Sequence, residues 1–220
     1  NQMLQRLQSD FRRLSEFSSD LAHELRTPIS NMLTETQVEL SQPRTVAQYQ
    51  EVLASNSEEL QRLARIVSDM LLLATTEHGL TLPTPERISL DGEVRALFDF
   101  YDALAQDNHI ALSLAGGGEI EGDRLMVRRA ISNLLSNALK YSPQGGDVEL
   151  RVRQDGEHTS IEVQDHGIGI PADELHHLFE SFHRATNVGA IAGTGLGLSI
   201  VKKSVDLHRG NIEVHSELGR

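Results

Sequence analysis

The run Ser18-Ser19-Asp20-Leu21-Ala22-His23-Glu24-Leu25-Arg26-Thr27-Pro28 places a titratable nucleophile, His23, on a helical pattern and follows it with a helix-bending proline. Upstream, Leu4, Leu7, Phe11, Leu14, Leu21 and Leu25 are spaced three and four apart, with Ser18 at the missing step, as a coiled-coil seam requires. With Leu4 at position a, His23 falls at f and points away from the seam, so its imidazole is expected in solvent where another domain can reach it. The plain alternative for a lone histidine is an idle surface residue.

A second set of chemistry-bearing residues lies far downstream. In Asn133-Leu134-Leu135-Ser136-Asn137-Ala138-Leu139-Lys140-Tyr141-Ser142 the polar residues Asn133, Asn137, Lys140 and Tyr141 recur at four, three and one, and so share one helix face. Two amide oxygens a turn apart suit Mg²⁺, which otherwise keeps its waters and phosphate oxygens. Lys140 adds charge for phosphate and Tyr141 a ring for a base; a solvated polar face is the alternative. Asp165-His166-Gly167-Ile168-Gly169-Ile170 follows a strand pattern. There Asp165 can accept from an exocyclic amine such as that of adenine, while Gly167 and Gly169 let the backbone approach a flat ligand. Taken alone, it is a turn.

Gly193-Thr194-Gly195-Leu196-Gly197-Leu198 opens a helix and presents backbone N–H groups to anions with the helix dipole behind them. Its third glycine comes one position too early for the dinucleotide fingerprint, and there is no Walker-type Gly-Lys-Ser/Thr, so it is a phosphate cradle of another kind. Leu178-Phe179-Glu180-Ser181-Phe182-His183-Arg184 precedes a stretch of small residues, 185–192, that reads as a lid. Phe179 and Phe182 read as anchors of the lid base; Arg184 either reaches a γ-phosphate or stands exposed.

Spacing also defines the elements that must position these residues. The first helix runs from the N-terminus through Leu40 and breaks at Ser41-Gln42-Pro43-Arg44-Thr45, where Thr45 and Gln48 form a capping box for a second helix. That helix carries a seam at Tyr49, Leu53, Asn56, Leu60, Leu63, Val67, Met70 and Ala74, with Asn56 favouring register over stability. One hairpin cannot hide stripes of this length, so two copies are expected to pair into a four-helix bundle, an intramolecular partner being the alternative. Glu77-His78-Gly79 through Leu82-Pro83-Thr84-Pro85 reads as a linker. Beyond it come strand 88–90, helix 91–106, strand 109–114, the Gly116-Gly117-Gly118 loop and a helix capped by Asp123 that reaches Tyr141. Strands 148–152 and 161–163 form a hairpin, helix 196–208 follows, and strand 212–214 closes the pattern. A mixed sheet with helices over it is predicted.

With 220 residues, 39% of them hydrophobic and 24% charged, the chain can bury a core of one or two domains. A net charge of −12 argues against nonspecific nucleic-acid binding, and without cysteine there is neither a disulfide framework nor a thiolate metal site. No apolar run approaches the ~18 residues of a membrane span. The start in mid-heptad at Asn1 reads as a piece of something longer.

Five separated motifs in this order resemble the sensor histidine kinases of two-component signalling. His23-Glu24-Leu25-Arg26-Thr27-Pro28 is similar to the H box, Asn133 to Tyr141 to the N box, Asp165 to Gly169 to the G1 box, Phe179 to Phe182 to the F box and Gly193 to Gly197 to the G2 box. The resemblance implies an all-α helical hairpin forming a dimeric four-helix bundle, then an α/β sandwich ATP-binding domain of the Bergerat type shared with gyrase, Hsp90 and MutL ATPases. On that scheme residues 1–10 end a helical signalling linker, 11–78 form the dimerisation and histidine phosphotransfer domain, 79–87 the linker and 88–220 the catalytic domain. The wording of residues 17–45 and 56–74 resembles the heavy-metal, copper-responsive branch.

The resemblance also implies roles. His23 attacks the γ-phosphate of ATP, Glu24 takes or orients the proton on the other ring nitrogen, and Thr27 positions a water for phosphatase action on the partner's phospho-aspartate. Neighbours at i and i+1 do not face each other on a regular helix, so Glu24 reaches only through a suitable rotamer, which Pro28 helps by freeing the carbonyl of residue 24. Asn137, supported by Asn133, holds Mg²⁺; Lys140 and Arg184 stabilise charge in transfer. The implied partners are a second copy and the receiver domain of a response regulator. The implied setting is the cytoplasmic portion of a membrane-anchored bacterial inner-membrane protein. The family continues past Glu217-Leu218-Gly219-Arg220 with a final strand, expected here to be missing. A nucleotide-gated dimeric module without phosphotransfer is the competing reading. A His-Glu-x-x-His zinc hydrolase fails because position 27 is threonine.

Overall fold

The computed structural model describes residues 2–76, 85–142, 145–156, 158–189, 191 and 193–219, and the side chains of these except at 2–17 and 74–76. The chain divides into two units, residues 1–72 and 73–220. In the first, helix α1 (Gln2–Leu40) runs without interruption through Pro28, and helix α2 (Val46–Thr76) returns after a short turn. The capping box is present in both directions: Thr45 N donates to Gln48 Oε1 at 3.0 Å and Gln48 N to Thr45 Oγ1 at 3.3 Å. Arg44 and Glu39 pair across the turn at 3.0 Å.

Leu21, Leu25, Pro28 and Met32 carry the α1 seam forward as its less exposed stripe, and His23 is exposed, as position f requires. Upstream, Leu4, Leu7, Phe11 and Leu14 lie in α1, but their side chains are outside the described residues. The α2 seam divides. Asn56, Leu63 and Met70 are at least half-buried, whereas Leu53, Leu60 and Val67 are exposed at 67, 57 and 45%. The stripe withdrawn from solvent is instead Val52, Asn56, Glu59, Leu63, Ile66 and Met70, set one residue earlier at three of its steps. A helix with two apolar neighbours needs two stripes, and a single heptad reading merges them. Two polar rungs join the helices, Asn56 Nδ2 to Thr36 Oγ1 at 3.0 Å and Ser55 Oγ to Glu35 Oε2 at 3.1 Å. Ala74 is outside the described side chains, and 77–84, most of the expected linker, is outside the described residues.

The second unit is an α/β layer structure. Strand β1 (Glu86–Ser89) pairs antiparallel with β3 (Glu119–Gly122), a strand the sequence reading did not separate from the preceding glycine loop. Strands β2 (Ala111–Gly116), β4 (Asp147–Asp155) and β5 (His158–Gln164) form a mixed sheet in the order β2-β4-β5, parallel then antiparallel. Helices α3 (Leu90–Asp107), α4 (Arg124–Tyr141) and α5 (Gly197–Leu207) complete the unit, capped at α3 by Ser89 and at α4 by Asp123, whose carboxylate accepts from Met126 N at 2.8 Å. One core cluster joins β1, β2, β4, α3 and α4, with Ile88, Leu90, Val94, Leu135, Val148 and Leu150 fully buried.

The closing strand expected at Ile212–Val214 is not a strand. Exposure alternates from 211 to 217 as a strand's would, but no ladder forms. The segment is held by single contacts instead: Ile170 N donates to Ser216 Oγ at 2.9 Å and Gly219 N to Ile168 O at 3.1 Å. No helix among the described residues is long and apolar enough to cross a membrane.

Replacing Thr45 by Ala removes one arm of the capping box and is expected to weaken the first turn of α2 by about 1 kcal/mol. The readout is hydrogen exchange of the Gln48 amide, about fivefold faster than in the parent; an unchanged rate would show that the box is dispensable.

Candidate functional site

In the first unit His23 and Thr27, four residues apart on one face of α1, are both exposed, and Glu24 is half-buried.

In the second unit the site is built on α4. Val127, Ile131, Leu135, Ala138 and Leu139 enter the core, so Asn133, Asn137, Lys140 and Tyr141 occupy the half-exposed side of the helix. The glycine-rich loop lies against that side. A Cβ at Gly193 would stand 2.7 Å from Lys140 Nζ and 3.5 Å from the Tyr141 hydroxyl, and one at Gly197 would stand 3.6 Å from Asn133 Oδ1. Lys140 Nζ sits 5.0 Å from the centre of the Tyr141 ring.

Gly195 fixes the loop. Its φ of +70° and the Phe182 backbone occupying the space of its Cβ exclude any other residue without displacement of main chain. Phe182, itself at φ +66°, donates its N–H to Gly195 O at 3.0 Å, joining the lid base to the cradle. Thr194 Oγ1 accepts from Leu196 N at 3.3 Å, and the Leu196 side chain is fully buried. These two residues, expected at the ligand, therefore shape the loop from within: the Leu196 amide has a partner inside the chain and its side chain is a plug.

Asp165 is exposed, and its Oδ1 accepts from Gly167 N at 2.9 Å, an Asx-type turn. Ile168 N donates to the Tyr141 carbonyl at 3.0 Å, which brings this turn to the end of α4. Gly169, at φ +69°, leaves the place of a Cβ to the Glu217 carbonyl.

Residues 190 and 192 of the expected lid are outside the described residues. The rest holds a 3-10 turn, Thr186–Val188. Contacts that no local spacing announced fasten it: Asn187 Nδ2 donates to Gly169 O at 2.8 Å, and Thr186 N to Glu174 Oε1 at 3.3 Å. Arg184 donates to the carbonyls of Gly189 at 3.3 Å and Ile191 at 2.6 Å, so it braces the lid. Partners 5 to 18 positions apart carry no periodic signal; the clue in the sequence was only their polarity among small residues.

Burial raises the Tyr141 hydroxyl above its ordinary range and the Arg184 charge draws it partly back, so the phenol stays a donor at neutral pH. At the lid base burial pushes Glu174 up, but the Thr186 N–H and His183 outweigh it and hold the carboxyl below its usual value. His183 Nε2 lies 2.8 Å from Glu174 Oε2, an ion-pair distance without hydrogen-bond alignment. Glu180, bonded to His177 Nδ1 at 2.9 Å, raises that histidine.

The residues on this face fit a nucleotide and its metal. Asn133 Nδ2 is buried with no partner among the described residues, a loss of about 1–3 kcal/mol that a polar ligand would relieve. Asn133 and Asn137 offer neutral oxygens to Mg²⁺, and no group of three His, Asp or Glu among the described residues competes for a metal.

Residues 13–79 match the family model described as the His Kinase A (phospho-acceptor) domain, and residues 122–220 match the histidine kinase-, DNA gyrase B- and HSP90-like ATPase. The sensor histidine kinase CusS of Escherichia coli K12 is 41% identical over 220 residues, covering 99% of this chain and 46% of that protein. The chain thus spans about half the length of the relatives it matches. The Acinetobacter baumannii histidine kinase AdeS superposes with a TM-score of 0.72 at 21% identity over 90% of this chain and 92% of that one. Histidine kinase ThkA, solved in complex with the response regulator TrrA, superposes at 0.68 and 19% identity over 92% and 57%. At those identities the structural likeness is one of fold.

The His177–Glu180 contribution is complete below the free-histidine value of 6.5 and is lost as pH rises through the raised folded value. The Glu174 contribution is present above 4.5 and is lost as pH falls through its lowered folded value. NMR titration is expected to put the His177 midpoint above 6.5 and to lower it in Glu180→Gln; an unmoved midpoint refutes the pairing.

Proposed function

The chain belongs to the sensor histidine kinases, and from that premise we propose that it transfers the γ-phosphoryl group of ATP to His23 and onward to an aspartate of a response regulator. The observation that carries this reading is the seating of the Gly193–Gly197 loop on the Asn133 side of α4, where a buried amide awaits a polar ligand. Neutral imidazole supplies the lone pair. One ring nitrogen of His23 bonds the γ-phosphorus as the bond to the β,γ-bridging oxygen breaks, and ADP leaves with the electron pair. Glu24 takes or orients the proton on the other nitrogen.

Such transfer is mainly positioning and electrostatics. Asn137, with Asn133 in support, would hold Mg²⁺, which supplies charge neutralisation on the phosphate oxygens. Gly193, Thr194, Gly195, Leu196 and Gly197 shape the phosphate cradle, with Lys140 beside it. Tyr141, Asp165, Gly167 and Gly169 form the base end, and Arg184 serves from the lid. Thr27, one turn from His23, supports a phosphatase role through an oriented water.

The hairpin supports a homodimer: Ile29, Leu33, Leu53, Leu60 and Val67 are 45 to 67% exposed, a stripe that a second hairpin would cover. A regulator's receiver domain as partner draws support from the ThkA complex. For the whole protein, the wording of residues 17–45 and 56–74 and the identity to CusS support a heavy-metal-responsive, membrane-anchored sensor with this part in the cytoplasm.

His23→Gln is expected to abolish ³²P labelling from ATP and to leave Mg·ATP affinity within about twofold of the parent, since the two groups lie in different units; undiminished labelling would sink the proposal. Asn137→Ala is expected to lose labelling and affinity together. In a mixed dimer of these two variants, labelled product reports transfer across the dimer, and its absence reports transfer within a chain.

A further inference from the structure

His208 lies in none of the five motifs, yet its ring terminates two helices at once. Asp123, the N-cap of α4, has a backbone N–H that a capping box would satisfy from a Glu or Gln three residues on; that position is Met126, which cannot accept it. The N–H donates instead to His208 Nε2 at 3.0 Å, across 85 residues of sequence. Because an amide can only donate, Nε2 carries the lone pair and the ring proton sits on Nδ1. Nδ1 in turn lies 2.7 Å from the Ser204 carbonyl in the last turn of α5, which also accepts the backbone N–H of His208 at 3.2 Å. A neutral imidazole thus presents a lone pair to the start of one helix and a proton to the end of the other.

Gly122 makes room for this arrangement. A Cβ there would overlap the His208 ring, and Gly122 is buried at the end of β3. The contact matters for the site because α4 and α5 pack together and touch at a second place, Asn133 against Gly197. The chain runs ten residues from Asp123 to Asn133 and eleven from Gly197 to His208, so the helices are antiparallel, with the His208 ring tying one end of their overlap and Gly197 facing Asn133 at the other. A slip of α5 along α4 would carry the glycine-rich loop off Asn133.

We infer that His208 is a positioning residue for nucleotide binding: by capping α4 and α5 together it sets their register, and with it the height of the phosphate cradle over the Asn133 face. This rests on the nucleotide site proposed above. Two substitutions separate the halves of the ring. Gln reaches far enough to offer an oxygen where Nε2 accepts, keeping the tie to α4; Asn can replace only the Nδ1 donor, keeping the α5 cap and losing the tie.

The experiment is titration of the 220-residue chain with Mg·ADP by calorimetry, alongside thermal unfolding of each ligand-free variant. His208→Asn and Gly122→Ala are expected to bind about tenfold more weakly than the parent, and His208→Gln within about twofold. A purely structural role would make Asn and Gln equivalent, or make affinity follow melting temperature across the set; either result overturns the inference. Should His208→Asn be unfolded at the assay temperature, Gly122→Ala, which keeps the ring, decides the matter: parental affinity there overturns it. Parent chain that binds no Mg·ADP overturns both this inference and the nucleotide site, whereas binding by the parent with no loss in the variants overturns this one alone.

Discussion

The rotation of α4 about its own axis is the constraint on which the second unit depends. Five buried residues, Val127, Ile131, Leu135, Ala138 and Leu139, key that helix into a core shared with β4 and α3. Large-to-small changes at such positions cost roughly 2–5 kcal/mol. Because side chains at i, i+4 and i+7 share a face, the same keying leaves Asn133, Asn137 and Lys140 no choice of direction. Everything else in the site is referred to that face: the cradle rests on it, the Asp165 turn hangs from the carbonyl at its end, and α5 is aligned along its first half.

Seen this way, the loops are precise because they are short spans between fixed points. The Gly193–Gly197 loop is held at Phe182 on one side and by the buried Leu196 plug on the other. Its positive φ at Gly195 is matched by another at Phe182, so two residues of uncommon backbone conformation face each other across one hydrogen bond. A non-glycine residue in that region carries a cost of about 1–3 kcal/mol that the surroundings must offset, and such residues gather where geometry serves a ligand.

Features set by local chemistry were legible in the sequence. The Thr45–Gln48 box and the Asp123 cap depend on residues three positions apart, and the 148–163 hairpin and the outward position of His23 on patterns carried within one hairpin or one helix. What the pattern did not carry depends on distant partners. The α2 stripe is set one residue from the expected seam at Val52, Glu59 and Ile66, because the heptad cannot say which of two neighbours an apolar residue meets. Residues 212–214 alternate as a strand does and yet have no ladder, since alternation reports sidedness and not a pairing partner. The same holds for Asn187 on Gly169 and His208 on Asp123: each is a lone polar residue until the fold supplies the backbone group it serves.

The terminal segment has a thermodynamic consequence. Ser216, Glu217 and Gly219 bear on three consecutive residues, Ile168, Gly169 and Ile170, just after the Asp165 turn. Neither stretch has a ladder of its own there, so single bonds tie the one to the other. Linkage is reciprocal: the free energy by which the terminal contacts favour the ordered turn is equally that by which an ordered turn favours those contacts. Exchange of the Ile170 and Gly219 amides therefore reads the order of the turn that carries Asp165.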